Sequence, residues 1–162
     1  MTSSVTFKAL VDFPLVNEGD DLAHLIKQSL DNNQISLQNG DALVIAQKIV
    51  SKAEGRLVFL NDVVVSDRAK EFAAVTGKDP RLTELILGEA KSVIRARQGI
   101  MIVEHKNGYV MANAGIDKSN ILLDESNQSV LLLPEDANKS AEFLREKLAK
   151  SCGVSLAIII ND

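Results

Sequence analysis

Residues 134–160, PEDANKSAEFLREKLAKSCGVSLAIII, restrict the fold more than any other stretch. Ala137, Ala141, Leu144 and Leu148 recur at helical spacing on one face, and Gly153 supplies the exit. The spacing predicts a one-sided amphipathic helix. It hands over at once to SLAIII (155–160), which reads as a buried strand. ALVIAQ (42–47) is another short, nearly continuous apolar run, of the kind buried on both faces. A chain that alternates such strands with amphipathic helices must build a layered fold in which helices cover sheets.

The remaining elements fit that scheme. Val5 to Val11 can form a first strand. EGDDLAHLIKQSL predicts a helix with Asp20 as N-cap and Leu22, Leu25, Ile26 and Leu30 on one face. Asn39-Gly40 is a turn. Ser66 caps a helix carrying Ala69, Phe72 and Ala73. Asp79-Pro80 opens another with Leu82, Leu85 and Ile86, since proline suits the first helical position. SVIRA (92–96) and VLLL (130–133) are short strand candidates. GIMIVEHKNGYVMA is a hairpin around Asn107-Gly108. The expected class is α/β, of mixed α+β character: short buried strands and a central hairpin packed against amphipathic helices. No internal boundary divides residues 1–162, so they read as one domain. Asp162 follows a buried strand directly, and a chain stopping there is expected to be a fragment.

Composition narrows the function. Of 162 residues, 46% are hydrophobic and 25% charged, as in ordinary globular domains. The formal net charge of −4 argues against a non-specific nucleic-acid surface. No apolar stretch approaches the ~20 residues that a membrane span takes. The single cysteine, Cys152, cannot form an internal disulfide and is expected to be a small buried hydrophobe. The simplest compartment is a reducing cytoplasm.

Neither GxxxxGK[ST] nor GxGxxG is present, and CxxC and HExxH are missing too. His24 and His105 have no zinc-ligand spacing and read as structural or solvated. Two segments carry more. In AQKIVSKAEGR (46–56), a strand runs into Lys48 and Lys52, four residues apart, and then Arg56. Lysines at a strand end suit a phosphate chain; they equally suit a solvated surface. In NAGIDKSN (113–120), Asp117 and its neighbouring carbonyls and amides are hard oxygen donors that favour Mg²⁺ or Mn²⁺ over zinc. One aspartate makes a poor site, and Asp162 offers a second carboxylate. The alternative is a turn capped by its own Asn and Asp side chains.

EGDDLAHLI (18–26), NGDALVIAQKIVSKAEGR (39–56), GKDPRLTELIL (77–87), ANAGIDKSN (112–120), LLLPEDANKSAEFLREKL (131–148) and AIIIND (157–162) together resemble one family, the coenzyme F420-0:L-glutamate ligases. The order and intervals of these strings resemble the family's from first strand to last residue. The resemblance implies a GTP-dependent ligase that adds L-glutamate, in γ-linkage, to the deazaflavin coenzyme F420-0. It implies Mg²⁺ or Mn²⁺, with K⁺ as a further candidate cation, and a homodimer. GTP contacts would fall on Asp12, Phe13, Pro14, Leu15, Gln47, Lys48, Lys52 and Asn120. Metal ligands would be Asp117 and Asp162, and Asp117 and Lys52 would carry catalysis. The sequence departs from the family pattern at Asp12, where a glycine is expected, and at Gln47-Lys48, where some members have a small hydroxyl pair. Family members also continue past this aspartate, so the resemblance implies that a carboxyl-terminal part is lacking here.

The implied chemistry activates a carboxylate as an acyl phosphate, which the amine of glutamate then attacks. Phosphate-charge neutralisation and reactant alignment suffice, without a protein nucleophile. Rival readings are a non-catalytic nucleotide- or metal-binding module, or an amide ligase for another acid.

Overall fold

The structure is a computed structural model, and it describes residues 4–118 and 128–161. Helix α1 spans Leu22–Asn32, and strand β1 spans Ala42–Ala46. Helix α2 (Gln47–Ala53) starts with no intervening loop, and strand β2 (Leu57–Phe59) follows. Helices α3 (Asp67–Thr76) and α4 (Pro80–Glu89) lead into β3 (Ala90–Arg97), β4 (Ile100–His105) and β5 (Val110–Ala112). Strand β6 (Ser129–Leu131), helix α5 (Ala137–Cys152) and strand β7 (Ala157–Asn161) complete the described chain. The class is mixed α/β, as expected.

The strands form three small sheets: parallel β1–β7, antiparallel β2–β6, and the antiparallel meander β3–β4–β5. Two apolar clusters fill the interior. Ile26, Leu30, Ile45, Val50, Leu144 and Leu148 join α1, α2 and α5 to β1. Leu82, Ile86, Met101, Val103, Val130 and Leu132 join α4 to the meander and to β6.

Caps follow side-chain chemistry closely. Ser66 accepts from Ala69 N, and Asp79 accepts from Arg81 N. Gly153 closes α5 at φ 71°, the left-handed region open to glycine. For α1 the N-cap is Asp21 rather than Asp20: Asp21 accepts from Ala23 N and His24 N. The Asp20 carboxylate instead receives Asn17 N, one turn earlier.

Other expectations are corrected. Residues 5–11 form no strand, and Val5, Phe7 and Val11 stand exposed, since alternation alone makes a strand only beside a sheet edge. β1 and β7 are buried on one face only: Val44 and Ile159 point outward at 60% and 48% exposure. Of VLLL, Leu132 and Leu133 leave the ladder; the Leu132 amide bonds the Arg56 carbonyl, and the Leu133 carbonyl accepts from Arg56 Nε. Cys152 is half-buried.

Candidate functional site

Lys48 and Asp117, read from separate segments, meet. Lys48 Nζ lies 3.0 Å from Asp117 Oδ2. The two side chains are 32% and 24% exposed, so the pair is sheltered yet within reach of solvent.

The lysine side is built by β1 and α2. Ala46 pairs with Asn161 in parallel register, and α2 begins on the next residue. Lys48 therefore stands at the carboxyl ends of two parallel strands, where α/β proteins place ligands. A cavity of ≈ 280 Å³ opens there, lined by Val44, Ala46, Gln47, Lys48 and Asn161. Gln47 is buried at 5% exposure. Its amide donates to Ser51 Oγ and reaches the Leu132 carbonyl, which fixes the first turn of α2. Lys52 follows Lys48 by one turn, on the same flank of the helix. It forms no ion pair with a described residue.

The aspartate side rests on an unusual turn. Asn113, Ala114 and Gly115 have φ of 51°, 54° and 66°, three left-handed residues in succession. Left-handed backbone costs a residue with a Cβ about 1–2 kcal/mol, so Asn113 and Ala114 store strain. The turn is held from both sides. Asn113 Oδ1 accepts from Met101 N, and Ala114 is fully buried. At Gly115 a Cβ would sit 2.9 Å from Leu133 Cδ1. The chain then bridges to β6, with Asp117 N and O both bonded to Leu131 at 3.0 and 2.9 Å. NAGID is thus a strained backbone device that delivers Asp117, beyond what a turn capped by its own side chains requires.

The other expected residues are placed less directly. Asp12 has φ 53°, which gives a physical reason for the glycine that the resemblance implies there. The backbone of neighbouring Val11 is held by the side chain of Asn33, the C-cap of α1. Phe13 packs on the α1–α5 cluster, Pro14 is exposed, and Leu15 is 85% exposed. These contacts bind the 12–15 loop to α1, not to Lys48 or Asp117. Asn120 and Asp162 lie outside the described residues.

A cation at Asp117 agrees with the geometry to this extent: the carboxylate is a hard donor that already takes a positive charge, the Lys48 ammonium. Among the described residues there is no group of three or more His, Cys, Asp or Glu able to hold a metal. A divalent ion there would complete its shell with water, substrate oxygens or residues outside that set.

Two features escaped sequence reasoning. Arg56, which the solvated-surface reading takes with the two lysines as a surface charge, is sheltered at 18% exposure. Its guanidinium pairs with Glu89 at 2.6 Å, at 18% and 13% exposure, and donates to the Leu133 carbonyl. Lys78 was not singled out. Burial, and then the charge of Lys118, holds its ammonium below the usual lysine range. A second positive group thus lies near the segment that carries Asp117. The larger concavity, ≈ 610 Å³ between α1, α2 and α5, is a weaker candidate. Its Asp21, Glu54 and Lys139 are engaged locally, by Lys147, Ser140 and Asp136.

A model of the F420-0:gamma-glutamyl ligase family matches residues 10–162. The chain belongs to that family. Similar relatives are coenzyme F420:L-glutamate ligases of Methanothermobacter thermautotrophicus (43% identical over 92% of this chain), Methanopyrus kandleri (45% over 91%) and Archaeoglobus fulgidus (39% over 92%). The matches cover 58%, 55% and 56% of those relatives. The chain thus spans little more than half of their length. Within the family frame, the Lys48–Asp117 pair joins two of the strings on which the resemblance rests.

Proposed function

We propose that this chain forms the nucleotide- and cation-binding part of a ligase that joins L-glutamate to coenzyme F420-0, using GTP in the cytoplasm. The observation that carries the reading is the Lys48–Asp117 pair at the carboxyl ends of β1 and β7. Family membership and the names of the relatives support the ligase class.

In the proposed reaction the terminal carboxylate of F420-0 attacks the γ-phosphorus of GTP. The bond to the bridging oxygen breaks, leaving GDP and an acyl phosphate. The glutamate amine attacks the acyl carbon, phosphate departs, and the amine yields a proton as the amide forms. Bound Mg²⁺ or Mn²⁺, held by Asp117 and Asp162, would draw charge from the phosphate oxygens. Lys48 and Lys52 would set positive charge beside the phosphate chain. Asp12 to Leu15, Gln47 and Asn120 contribute backbone and amide contacts that orient the nucleotide. K⁺ and a homodimer belong to the same proposal, and the exposed Val5, Phe7 and Leu15 are apolar surface that a second copy would cover.

Supplying GTP, Mn²⁺, L-glutamate and F420-0 tests the reading, with the chain alone and with the remaining portion of a relative added. GDP release matched by glutamylated product in either mixture supports it. Nucleotide binding without product in both mixtures favours the second reading, a binding module.

A further inference from the structure

We infer that Lys48 is a built-in competitor for cations at Asp117, and that a divalent ion is held there more tightly once the lysine ammonium has left the carboxylate. The inference rests on the reading of Asp117 as a cation ligand, and it assigns Lys48 a gating role beyond contact with phosphate.

Three observations carry it. First, Lys48 Nζ and a divalent cation would claim the same oxygen, Asp117 Oδ2, from 3.0 Å or less. Two cations at one carboxylate repel, so the ammonium weakens the hold on the divalent ion, and the ion weakens the ammonium's. Second, the aspartate cannot yield. Its backbone is fixed by paired bonds to Leu131 and by the left-handed turn before it. The first turn of α2 cannot yield either, because Gln47 is buried and hydrogen-bonded. The lysine side chain is the mobile part: a four-carbon stem ending in a compact charge. Third, the ammonium has somewhere to go. Lys48 also lines the cavity beside Ala46 and Asn161. A phosphate chain there would draw Nζ off the carboxylate as the divalent ion arrives. Nucleotide and metal would then assist one another through a single side chain.

Lys48→Met should therefore act in opposite directions on the two ligands. Without nucleotide, Mn²⁺ should bind roughly twofold to fivefold more tightly, the order expected from loss of a partly exposed ion pair. GTP in the presence of Mn²⁺ should bind more weakly. Lys48→Arg keeps the charge and should retain weak Mn²⁺ binding. A purely structural lysine would move both affinities the same way.

Free Mn²⁺ is read by electron paramagnetic resonance and GTP by calorimetry, on the whole 162-residue chain, with Asp117→Asn as reference and melting curves to confirm folding. Tighter Mn²⁺ with weaker GTP in Lys48→Met, and Mn²⁺ lost in Asp117→Asn, is the expected result. Mn²⁺ affinity unchanged or lowered in Lys48→Met, but lost in Asp117→Asn, overturns the gating role and leaves the cation site standing. Wild-type Mn²⁺ affinity in Asp117→Asn overturns both.

Discussion

Gly115 concentrates two constraints in one residue. Its φ is 66°, and a Cβ there would press on Leu133 Cδ1, Leu133 Cγ and Met111 Cε at 2.9 to 3.1 Å. Gly115→Ala should cost about 2 kcal/mol or more from left-handed strain and overpacking together, measured by urea unfolding. A change below about 0.5 kcal/mol would mean that the turn relaxes freely. His105 is a second such residue. It is 1% exposed, and its Nδ1 accepts from Asn107 N, so Nε2 carries the proton, 3.5 Å from Glu89. Burial holds its pKa below the ordinary value, despite the opposing pull of Glu89. Between that lowered value and about 6.5, the unfolded chain binds a proton that the folded chain refuses. This contribution to stability is complete above about pH 6.5 and is lost as pH falls through the folded value. Urea midpoints should decline with acid across that window, and less steeply in His105→Gln. Equal slopes in the two proteins would contradict this account of His105.

At the scale of elements, legibility followed periodicity and caps. The α5 stripe of Leu144 and Leu148, the Ser66 and Asp79 caps, and the hairpin at Asn107-Gly108 are local facts, and local sequence states them. What failed was non-local. Residues 5–11 read as a strand, yet local sequence cannot say whether a sheet edge lies beside them. ALVIAQ reads as buried on both faces and SLAIII as a buried strand, but only packing decides that Val44 and Ile159 face outward. Of the site, the residue types at Lys48 and Asp117 were legible; their contact was not, because 69 positions separate them. The left-handed NAG turn was signalled only by Asn113 and Gly115, since Ala114 gives no hint of φ 54°. At α1, Asp21→Asn keeps an acceptor for Ala23 N and His24 N, whereas Asp21→Ala removes it. The alanine variant should lose about 1 kcal/mol more than the asparagine variant in thermal unfolding. Equal losses would assign the stability to the Lys147 pair instead of the cap.

Across the whole molecule, two apolar clusters are held in one unit by a polar seam. Arg56 directly precedes β2, bonds the Leu133 carbonyl from its side chain and the Leu132 amide from its backbone, and pairs with Glu89 at the end of α4. Gln47 reaches the same strand segment from α2. The candidate site lies across this seam, with Lys48 on the β1–β7 side and Asp117 on the meander side. Arg56→Met would leave Glu89 with only its longer contacts to His105 and Lys106, take the side-chain donor from the Leu133 carbonyl, and should cost roughly 2 kcal/mol. Because the seam couples the clusters, the wild-type chain should melt in one transition, and this variant at a lower temperature. Unchanged melting would remove Arg56 from the seam. The central claim is that Asp117 and the lysines of α2 form one cation-dependent nucleotide site. Calorimetric titration of GTP into the chain, with Mn²⁺ and then with EDTA, beside Asp117→Asn, tests it most directly. The account predicts binding with Mn²⁺ that vanishes with EDTA and in the variant. Binding that is indifferent to both, or absent throughout, would contradict it.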